Sequence, residues 1–188
     1  MSTIRENYLQ VLEEVGQAAE QAGRRREDVG LIAVSKFHPA SAIRELFRAG
    51  HLDFGENYAQ EALEKQKSLQ DGTLRWHFLG GVQTNKAKYL AGSFHLIHSL
   101  DSVKLAGELE RRAQKKQAKQ AVLLQINLGE EAQKSGADPK EAKQLCEYAL
   151  SCGHLQLEGL MTMPPLSWEA EANRRIFSRL RRLKQDLE

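Results

Sequence analysis

The chain has 188 residues, enough for one hydrophobic core, and we expect a single domain over residues 1–188. Its 28% charged and 41% hydrophobic residues are an ordinary globular balance, and its formal net charge is only +2. A charge this small excludes a general electrostatic attraction to nucleic acid or to an anionic membrane surface, so neither is an expected partner.

The first segment is predicted to be a helix ahead of the first strand. Its apolar residues at helical spacing are Ile4, Tyr8, Val11, Val15 and Ala18. Ser2 or Thr3 can cap the start of this helix, and Gly23 can end it. Charged residues interrupt the apolar ones throughout, which is not the pattern of a signal peptide or of a membrane span. The segment therefore favours a cytoplasmic protein.

The two cysteines, Cys146 and Cys152, lie six residues apart in a segment with helical periodicity. At that spacing their side chains fall on different faces of a helix and cannot easily form a disulfide. We expect free thiols, which are typical of a reducing compartment and agree with a cytoplasmic location.

From Gly30 onward, short apolar runs alternate with longer stretches of helical period. The runs, in chain order, are GLIAVS, LDFGE, RWHFLG, FHLIHS, AVLLQIN and LQLEGLM. In the helical stretch before the last run, Asp138, Pro139 and Glu141 predict a capping box. The final stretch predicts a long helix from about Trp168 to the end. Because no hairpin signal separates the runs, the pattern predicts an α/β fold with a parallel sheet.

Two architectures compete for six strand–helix units: an open doubly wound sheet, and an eight-unit barrel with reactive groups at the carboxyl ends of its strands. The number of units suits the open sheet. The segment after the first run, SKFHPAS, nevertheless has neither of the glycine-rich patterns that bind dinucleotides or nucleoside triphosphates. Chemically active or small residues follow every run: Ser35, Lys36, Glu56, Asn57, Gly80, Gly81, His98, Ser99, Asn127 and Met161. A barrel would bring all of them to one face, which favours the barrel.

Lys36 lies where the first predicted strand ends. A lysine just past a strand is commonly a solvated loop residue, and that interpretation stays open. The alternative is an amine that the rim of a barrel partly desolvates, so that a neutral fraction can attack an aldehyde and form an imine.

Seven motifs occur in the order found in the pyridoxal-phosphate homeostasis proteins. They are AVSK at Ala33 to Lys36, FGENY at Phe54 to Tyr58, WHFLGGVQTNK at Trp76 to Lys86, HSLD at His98 to Asp101, QINLG at Gln125 to Gly129, KSG at Lys134 to Gly136 and GLMTM at Gly159 to Met163. The chain thus resembles this family over nearly its whole length. The resemblance implies a (β/α)₈ TIM-barrel-type fold like the alanine racemase N-terminal domain, with about six β/α units in this chain. It also implies pyridoxal 5′-phosphate as the cofactor.

The resemblance further implies that Lys36 forms a Schiff base with pyridoxal phosphate. It places Asn57 near the cofactor, where its amide can hydrogen-bond the phenolate oxygen or the lysine, although capping of the following helix would also explain it. His77 is expected to point toward the cofactor ring, and a hydrogen-bonded core histidine is the alternative. Met161 is expected to pack on a face of the ring, with core filling as its alternative.

Two other motifs carry weaker expectations. Gln83, Asn85 and Lys86 belong to the family's QxNK motif, and helix capping alone could explain Asn85. Lys134, in the KSG motif, is expected on a loop near the entrance. There it either helps to hand over the cofactor or is simply solvated.

The chain departs from the family pattern at two places. Gly81 stands where the family usually carries a bulkier residue, which predicts a looser loop. Family members continue past the final helix with two further strand units, which include a serine- and glycine-rich turn and an RIGTAIFG segment around the cofactor phosphate. Neither segment occurs in this sequence, so we expect this chain by itself to bind the cofactor weakly.

The last segment, EANRRIFSRLRRLKQDLE, is rich in arginine, a feature of some nucleic-acid-binding helices. Its apolar residues form a regular stripe of Ile176, Leu180, Leu183 and Leu187. We therefore expect a helix that covers the barrel and presents a solvated basic face, with no nucleic-acid partner.

The expected function is that of a carrier or buffer, which holds pyridoxal phosphate through the Lys36 Schiff base and acts in its intracellular homeostasis. PLP-dependent acceptor enzymes would be its partners, we expect a monomer, and no residue is predicted to be catalytic or to bind a metal. One alternative is a racemase-like enzyme of low activity on amino acids, although racemases with this barrel take a second base from a tyrosine of another domain. Another is an aldolase that uses Lys36 with Glu56 or His77 as acid and base.

Overall fold

A computed structural model describes residues 3–129, 135–165 and 169–188. The chain forms two compact units, residues 1–77 and residues 78–188. Six strands alternate with helices along the chain, and every strand pair with a defined register is parallel. The prediction of an α/β chain with six strand–helix units is therefore confirmed.

In the part that the structure describes, the first unit contains three strands and three α-helices. They are α1 (Ile4–Gln21), β1 (Ala33–Val34), α2 (Ala40–Arg48), β2 (Asp53–Glu56), α3 (Ala59–Leu69) and β3 (Arg75–Phe78), whose last residue begins the second unit. The strands are neighbours in the order β1-β2-β3. Val34 is in register with Gly55, and the Arg75 amide donates to the Leu52 carbonyl at 2.8 Å. The carboxyl ends of β1 and β2 therefore lie side by side.

Helix α1 begins at the predicted cap. The Thr3 hydroxyl accepts a hydrogen bond from the Glu6 amide at 3.2 Å, and the Glu6 carboxylate accepts one from the Thr3 amide at 2.7 Å. This is a capping box, which satisfies two amides that the first turn of a helix leaves unpaired. The helix ends at Gln21, and Gly23 follows with a left-handed φ of +69°.

The buried face of α1 differs from the predicted apolar stripe. Ile4 and Val11 are 41% and 42% exposed, whereas Gly16 and Ala19 are buried. Gly16 lets the Arg26 side chain lie against the helix, because a Cβ at this position would stand 2.8 Å from the Arg26 Nη1 atom. The inward face of α1 thus includes small residues, and Arg26 is held against the helix by ion pairs to Glu13 and Glu20.

The core of the first unit contains a chain of four rings. Phe54 contacts His51 with a centroid distance of 5.1 Å and Trp76 with one of 6.3 Å. His51 in turn contacts Tyr8 of α1 at 5.0 Å, and its Nε2–H donates to the Asp53 carbonyl at 2.7 Å. Burial lowers the pKa of His51 below its ordinary value of 6.5, and this outweighs the hydrogen bond to Asp53, which raises it.

We expect the stability of the chain to depend on pH through His51. Because the folded state binds this proton less tightly than the unfolded state, protonation favours unfolding. The contribution is complete above pH 6.5 and is lost as the pH falls from there through the lowered pKa, by up to about 1.4 kcal/mol per pH unit. Urea unfolding between about pH 7.5 and about pH 5.5 measures this slope. It should decrease in His51→Gln, and an equal slope in both proteins would contradict the assignment.

Among its described residues, the second unit contains the other three strands and four α-helices. They are α4 (Ala87–Leu90), β4 (Leu96–Leu100), α5 (Val103–Lys115), β5 (Gln120–Gln125), α6 (Ala142–Ser151), β6 (Leu155–Met161) and α7 (Ala170–Leu187). The strand order is β4-β5-β6. The core of this unit includes side chains that are almost fully buried, among them Ile97, Leu105, Leu109, Val122 and Leu124.

The start of α6 corrects one prediction. The helix begins at Ala142, and Asp138 does not cap it with Glu141 as predicted. The Asp138 carboxylate accepts instead from the Lys140 amide at 2.8 Å, and its carbonyl accepts from the Glu141 amide at 2.8 Å. An aspartate that bonds the backbone two residues ahead forms a local turn, which competes with the first turn of a helix.

The last helix, α7, has a partly buried apolar stripe and exposed arginines. Ile176, Leu180, Leu183 and Leu187 make up the stripe, and the exposed cations include Arg174, Arg175, Arg181 and Arg182. The helix begins at Ala170, and the predicted start at Trp168 lies outside the described residues. No helix among the described residues is both long enough and apolar enough to cross a membrane.

Candidate functional site

Lys36 lies in a tight turn just past the end of β1. The Ser35 amide donates to the Gly55 carbonyl at 2.8 Å, which is the last bond between β1 and β2. The chain then turns, and the His38 amide donates back to the Ser35 carbonyl at 3.0 Å. Phe37 has a φ of +65°, a left-handed conformation that bulky residues rarely adopt. The turn holds Lys36, with its side chain half-buried, at the carboxyl end of the strand.

Lys36, Asn57 and His77 belong to one face of the first unit's strands. Side chains alternate between the two faces of a strand, so extending the alternation of Val34 and its partner Gly55 past the ends of β1 and β2 assigns Lys36 and Asn57 to the same face. Asp53 is on this same face because it lies two residues before Gly55. The His77 Nε2 atom is 3.0 Å from the Asp53 Oδ1 atom, which places His77 there as well. Three of the four predicted residues thus lie on neighbouring strands of the first unit or directly after them.

Neither the Lys36 amine nor the Asn57 amide is engaged by the protein in the part of the chain that the structure describes. No ion pair or hydrogen bond joins either side chain to another described residue. Both side chains are only partly buried. An amine that no described residue engages can react with an aldehyde. A neighbouring amide can form hydrogen bonds with other polar groups of the same small molecule.

A charge cluster with two buried side chains and one partly exposed side chain contacts the Lys36 turn. It consists of Glu56, Glu61 and Lys65, and we refer to it as the Lys65 cluster. The Lys65 ammonium donates to the Glu56 and Glu61 carboxylates, each at 2.7 Å, and to the Ser35 carbonyl at 2.6 Å. The Ser35 hydroxyl donates to Glu56 at 2.7 Å.

Lys65 and Glu61 were not predicted from the sequence to support the site. A signal was present, because Lys65 lies three residues after the buried Ala62 and therefore on the inward face of α3. A lysine at such a position has to find a carboxylate or a carbonyl inside the fold. The hydrogen bond from Lys65, helped by the Phe37 amide and the nearby cations, keeps the pKa of Glu61 below its ordinary value, although burial alone would raise it.

His77 is engaged by a charged partner at the start of the neighbouring strand. Asp53 Oδ1 lies 3.0 Å from His77 Nε2 and accepts from Arg75 Nε at 2.6 Å. Burial of Asp53 alone would raise its pKa, but the hydrogen bonds and charges of Arg75 and His77 prevail and lower it to about 2. This contact agrees with the alternative of a hydrogen-bonded histidine, and the contact of His77 with a cofactor stays a prediction.

The chain is similar in sequence and in structure to proteins of a known family. Residues 9–188 match the family described as alanine racemase, N-terminal domain. The chain is 44% identical over 187 residues to the pyridoxal phosphate homeostasis protein of Pseudomonas aeruginosa, covering 100% of this chain and 81% of that protein. It is 43% identical to the protein of the same name from Aquifex aeolicus, covering 97% of this chain and 80% of the relative.

The chain belongs to the pyridoxal phosphate homeostasis protein family. A solved structure agrees: PipY of Synechococcus elongatus with PLP bound superposes with a TM-score of 0.83 at 35% identity, over 98% of this chain and 82% of that one. The predicted fold, α/β with the barrel-type topology of the alanine racemase N-terminal domain, is thereby confirmed.

The remaining motifs of the homeostasis protein family lie in the second unit. Met161 ends β6, where its carbonyl accepts from the Ile126 amide at 2.8 Å, and its side chain is partly buried. The predicted role of Met161 against the cofactor ring remains a prediction. Lys134 of the KSG motif lies outside the described residues.

The QxNK motif corrects a smaller expectation. Thr84–Lys86 form a short 3₁₀ turn ahead of α4, and no side chain caps either element. Asn85 lies inside the 3₁₀ turn and makes no capping hydrogen bond to either element, so it is not a helix cap. Gly81 is also exposed, and a Cβ there would make an ordinary contact of 3.6 Å with the Ser135 hydroxyl.

Proposed function

We propose that this chain binds pyridoxal phosphate covalently through Lys36 and carries or buffers it in the cytoplasm for PLP-dependent enzymes. The observation that carries the proposal is Lys36, a partly buried residue just past the end of β1 whose amine no described residue engages, with Asn57 just past the end of the neighbouring strand β2. The names of the relatives and the bound PLP of the PipY structure agree with it.

The chemistry asked of the protein is limited. The neutral amine of Lys36 adds to the aldehyde carbon, a C=N bond replaces the C=O bond, and one water molecule leaves. The reaction reverses by hydrolysis or by exchange with another amine, so a carrier can release its cargo. Asn57 would orient the ring through its amide, and His77 would line the same face of the strands.

A carrier suits this site better than the enzymes considered. A racemase needs a second base opposite the lysine. Tyr58 lies next to the Lys36 turn, but it precedes α3 and its ring packs on the Phe37 ring at 5.4 Å. An aldolase would need a mobile acid or base, whereas Glu56 is 0% exposed and bound to Lys65 and Ser35. The proposed role therefore requires reversible binding alone.

Borohydride trapping tests the proposal. Adding pyridoxal phosphate should produce the visible absorption band of an imine, and reduction followed by peptide mapping should place the label on Lys36. Lys36→Arg should lose both signals, because a guanidinium stays protonated and cannot form the imine. Lys67→Arg, on an exposed lysine of α3, is the control and should label like the wild type.

Two results would count against this function. A label on another lysine, or none at all, would remove Lys36 from the site. Deuterium exchange at the α-carbon of alanine in the presence of the loaded protein would instead support the racemase-like alternative. A carrier should show no such exchange above the rate of free pyridoxal phosphate.

A further inference from the structure

The two peptide groups that flank Lys36 are both held by the Lys65 cluster. The peptide before Lys36 presents the Ser35 carbonyl, which accepts from the Lys65 ammonium at 2.6 Å. The peptide after Lys36 presents the Phe37 amide, which donates to the Glu61 carboxylate at 2.8 Å. Since the conformation of a residue is set by the peptide planes on either side of it, these two bonds restrict the φ and ψ angles of Lys36.

Several hydrogen bonds together fix the geometry of the Lys65 cluster. An ammonium group has three N–H donors, and those of Lys65 are directed at three different acceptors. One carboxylate oxygen of Glu61 accepts from both Lys65 and Phe37. One oxygen of Glu56 accepts from both Lys65 and the Ser35 hydroxyl. The Lys65 and Glu56 side chains are almost completely buried, so their charges are poorly screened by water.

The cluster reaches the turn from the opposite side to the Lys36 side chain. Ser35 and Glu56 each neighbour a residue of the site in sequence, Lys36 and Asn57, and alternate to the other face of their strands. Lys65 approaches that other face from α3. We therefore assign Lys65 no contact with a ligand at Lys36, because its bond to the turn is to the backbone carbonyl of Ser35.

The conformation of Phe37 explains why such support is needed. A phenylalanine with a φ of +65° is less stable than in an ordinary turn, and without support the turn would relax. Its ring is largely exposed, so burial of the ring does not hold it in place. The hydrogen bond from the Phe37 amide to Glu61 keeps this amide oriented.

We propose that Lys65, together with Glu56 and Glu61, is the positioning group that fixes the backbone of Lys36 and thereby presents its amine to the aldehyde. This inference rests on the proposed function. It assigns to three residues outside the ligand-facing side a role in the rate at which the imine forms, because reaction rates fall steeply when a nucleophile is displaced from its geometry.

Glu61 offers the sharpest test, because its side chain is partly exposed and its loss should leave the fold intact. Glu61→Ala removes the acceptor of the Phe37 amide. Without pyridoxal phosphate, hydrogen exchange of that amide, followed by NMR, should become about tenfold faster, as expected for the loss of a hydrogen bond to a charged group. The rate of imine formation at Lys36 should fall about tenfold or more.

Two matched variants separate positioning from a general effect. Glu61→Gln keeps a carbonyl oxygen at the same place and should restore most of the amide protection and most of the rate. Glu64→Ala removes an exposed carboxylate of the same helix and should change neither. Lys65→Met should show the same loss as Glu61→Ala or a larger one, provided that its circular dichroism matches the wild type.

The outcomes distinguish this inference from the proposed function. If the wild-type protein forms no imine at Lys36, the proposed function fails and this inference fails with it. If the wild type labels at Lys36 and Glu61→Ala labels at the same rate, the function stands and the positioning role is overturned. A slower rate without faster exchange of the Phe37 amide would also overturn it, because the effect would not pass through the backbone.

Discussion

Phe54→Ala is expected to lower the free energy of unfolding by about 3–5 kcal/mol, the usual cost of removing a buried phenylalanine ring. Phe54 is 1% exposed and stands between the rings of His51 and Trp76. Its removal leaves a cavity that neither neighbour can fill without moving a strand. Because Phe54 also precedes Gly55, the register partner of Val34, the loss should weaken the pairing that supports Lys36.

Phe177→Ala is the control for this prediction. It makes the same chemical change on α7, where the ring is 51% exposed. Its effect should stay within about 1 kcal/mol, as for most substitutions of partly exposed residues. Urea unfolding followed by circular dichroism measures both variants, and similar losses for the two would contradict the assignment of Phe54 to the core.

Gly136→Ala is expected to cost about 2–5 kcal/mol, from backbone strain and from lost hydrogen bonds. Gly136 has a φ of +128°, which L-residues with a side chain rarely adopt. A Cβ there would also stand 2.8 Å from the Asn127 backbone nitrogen. That nitrogen donates to the Ala137 carbonyl at 3.0 Å, and the Ala137 amide donates to the Gln125 carbonyl at 2.8 Å. A methyl group would push these segments apart.

Gly153→Ala is the matched change in the same unit. A Cβ at Gly153 would lie 3.6 Å from the Glu110 carboxylate, an ordinary contact distance, and the φ of Gly153 is not left-handed. We expect a change of less than about 1 kcal/mol, of either sign. Equal unfolding midpoints in urea for the two variants would show that the conformation of Gly136 is not required.

The glycine of the KSG motif therefore has a physical explanation. The segment from Ser135 to Ala137 pairs with the end of β5, through the bonds at Ala137 and a bond of 3.0 Å from the Gln125 side chain to the Ser135 carbonyl. Only a residue without a Cβ lets the two backbones come this close. The order of its residues identifies the motif in the sequence, and the backbone contacts explain why it contains a glycine.

The alternation of strands and helices could be predicted because it depends on the spacing of apolar residues along the chain. The cap at Thr3 could be predicted for the same reason, since Thr3 and Glu6 interact within one helical turn. The predictions that failed were based on local sequence patterns, at places where other contacts compete with the predicted ones. Asp138 bonds Lys140 instead of capping α6, and the Arg26 side chain lies against α1 at the buried Gly16.

Within the candidate site, Lys36 could be predicted from its position after a strand and from the motifs around it. The contacts that hold the Lys36 turn in place could not be predicted. Lys65 is nine residues from Glu56 and thirty from Ser35, and no periodic pattern relates these positions. The bond between His77 and Asp53 spans 24 residues and depends on the pairing of β2 with β3.

By itself, the sequence determined the class of the fold, the family and the lysine at the end of β1, because apolar periodicity and ordered motifs are properties of neighbouring residues. Only the tertiary structure decided which partners the buried charges take. A charge removed from water must be neutralised within about 3 Å, and the group at that distance is chosen by the packing of strands and helices. For Lys65, one of these groups is the Ser35 carbonyl in the turn that carries Lys36.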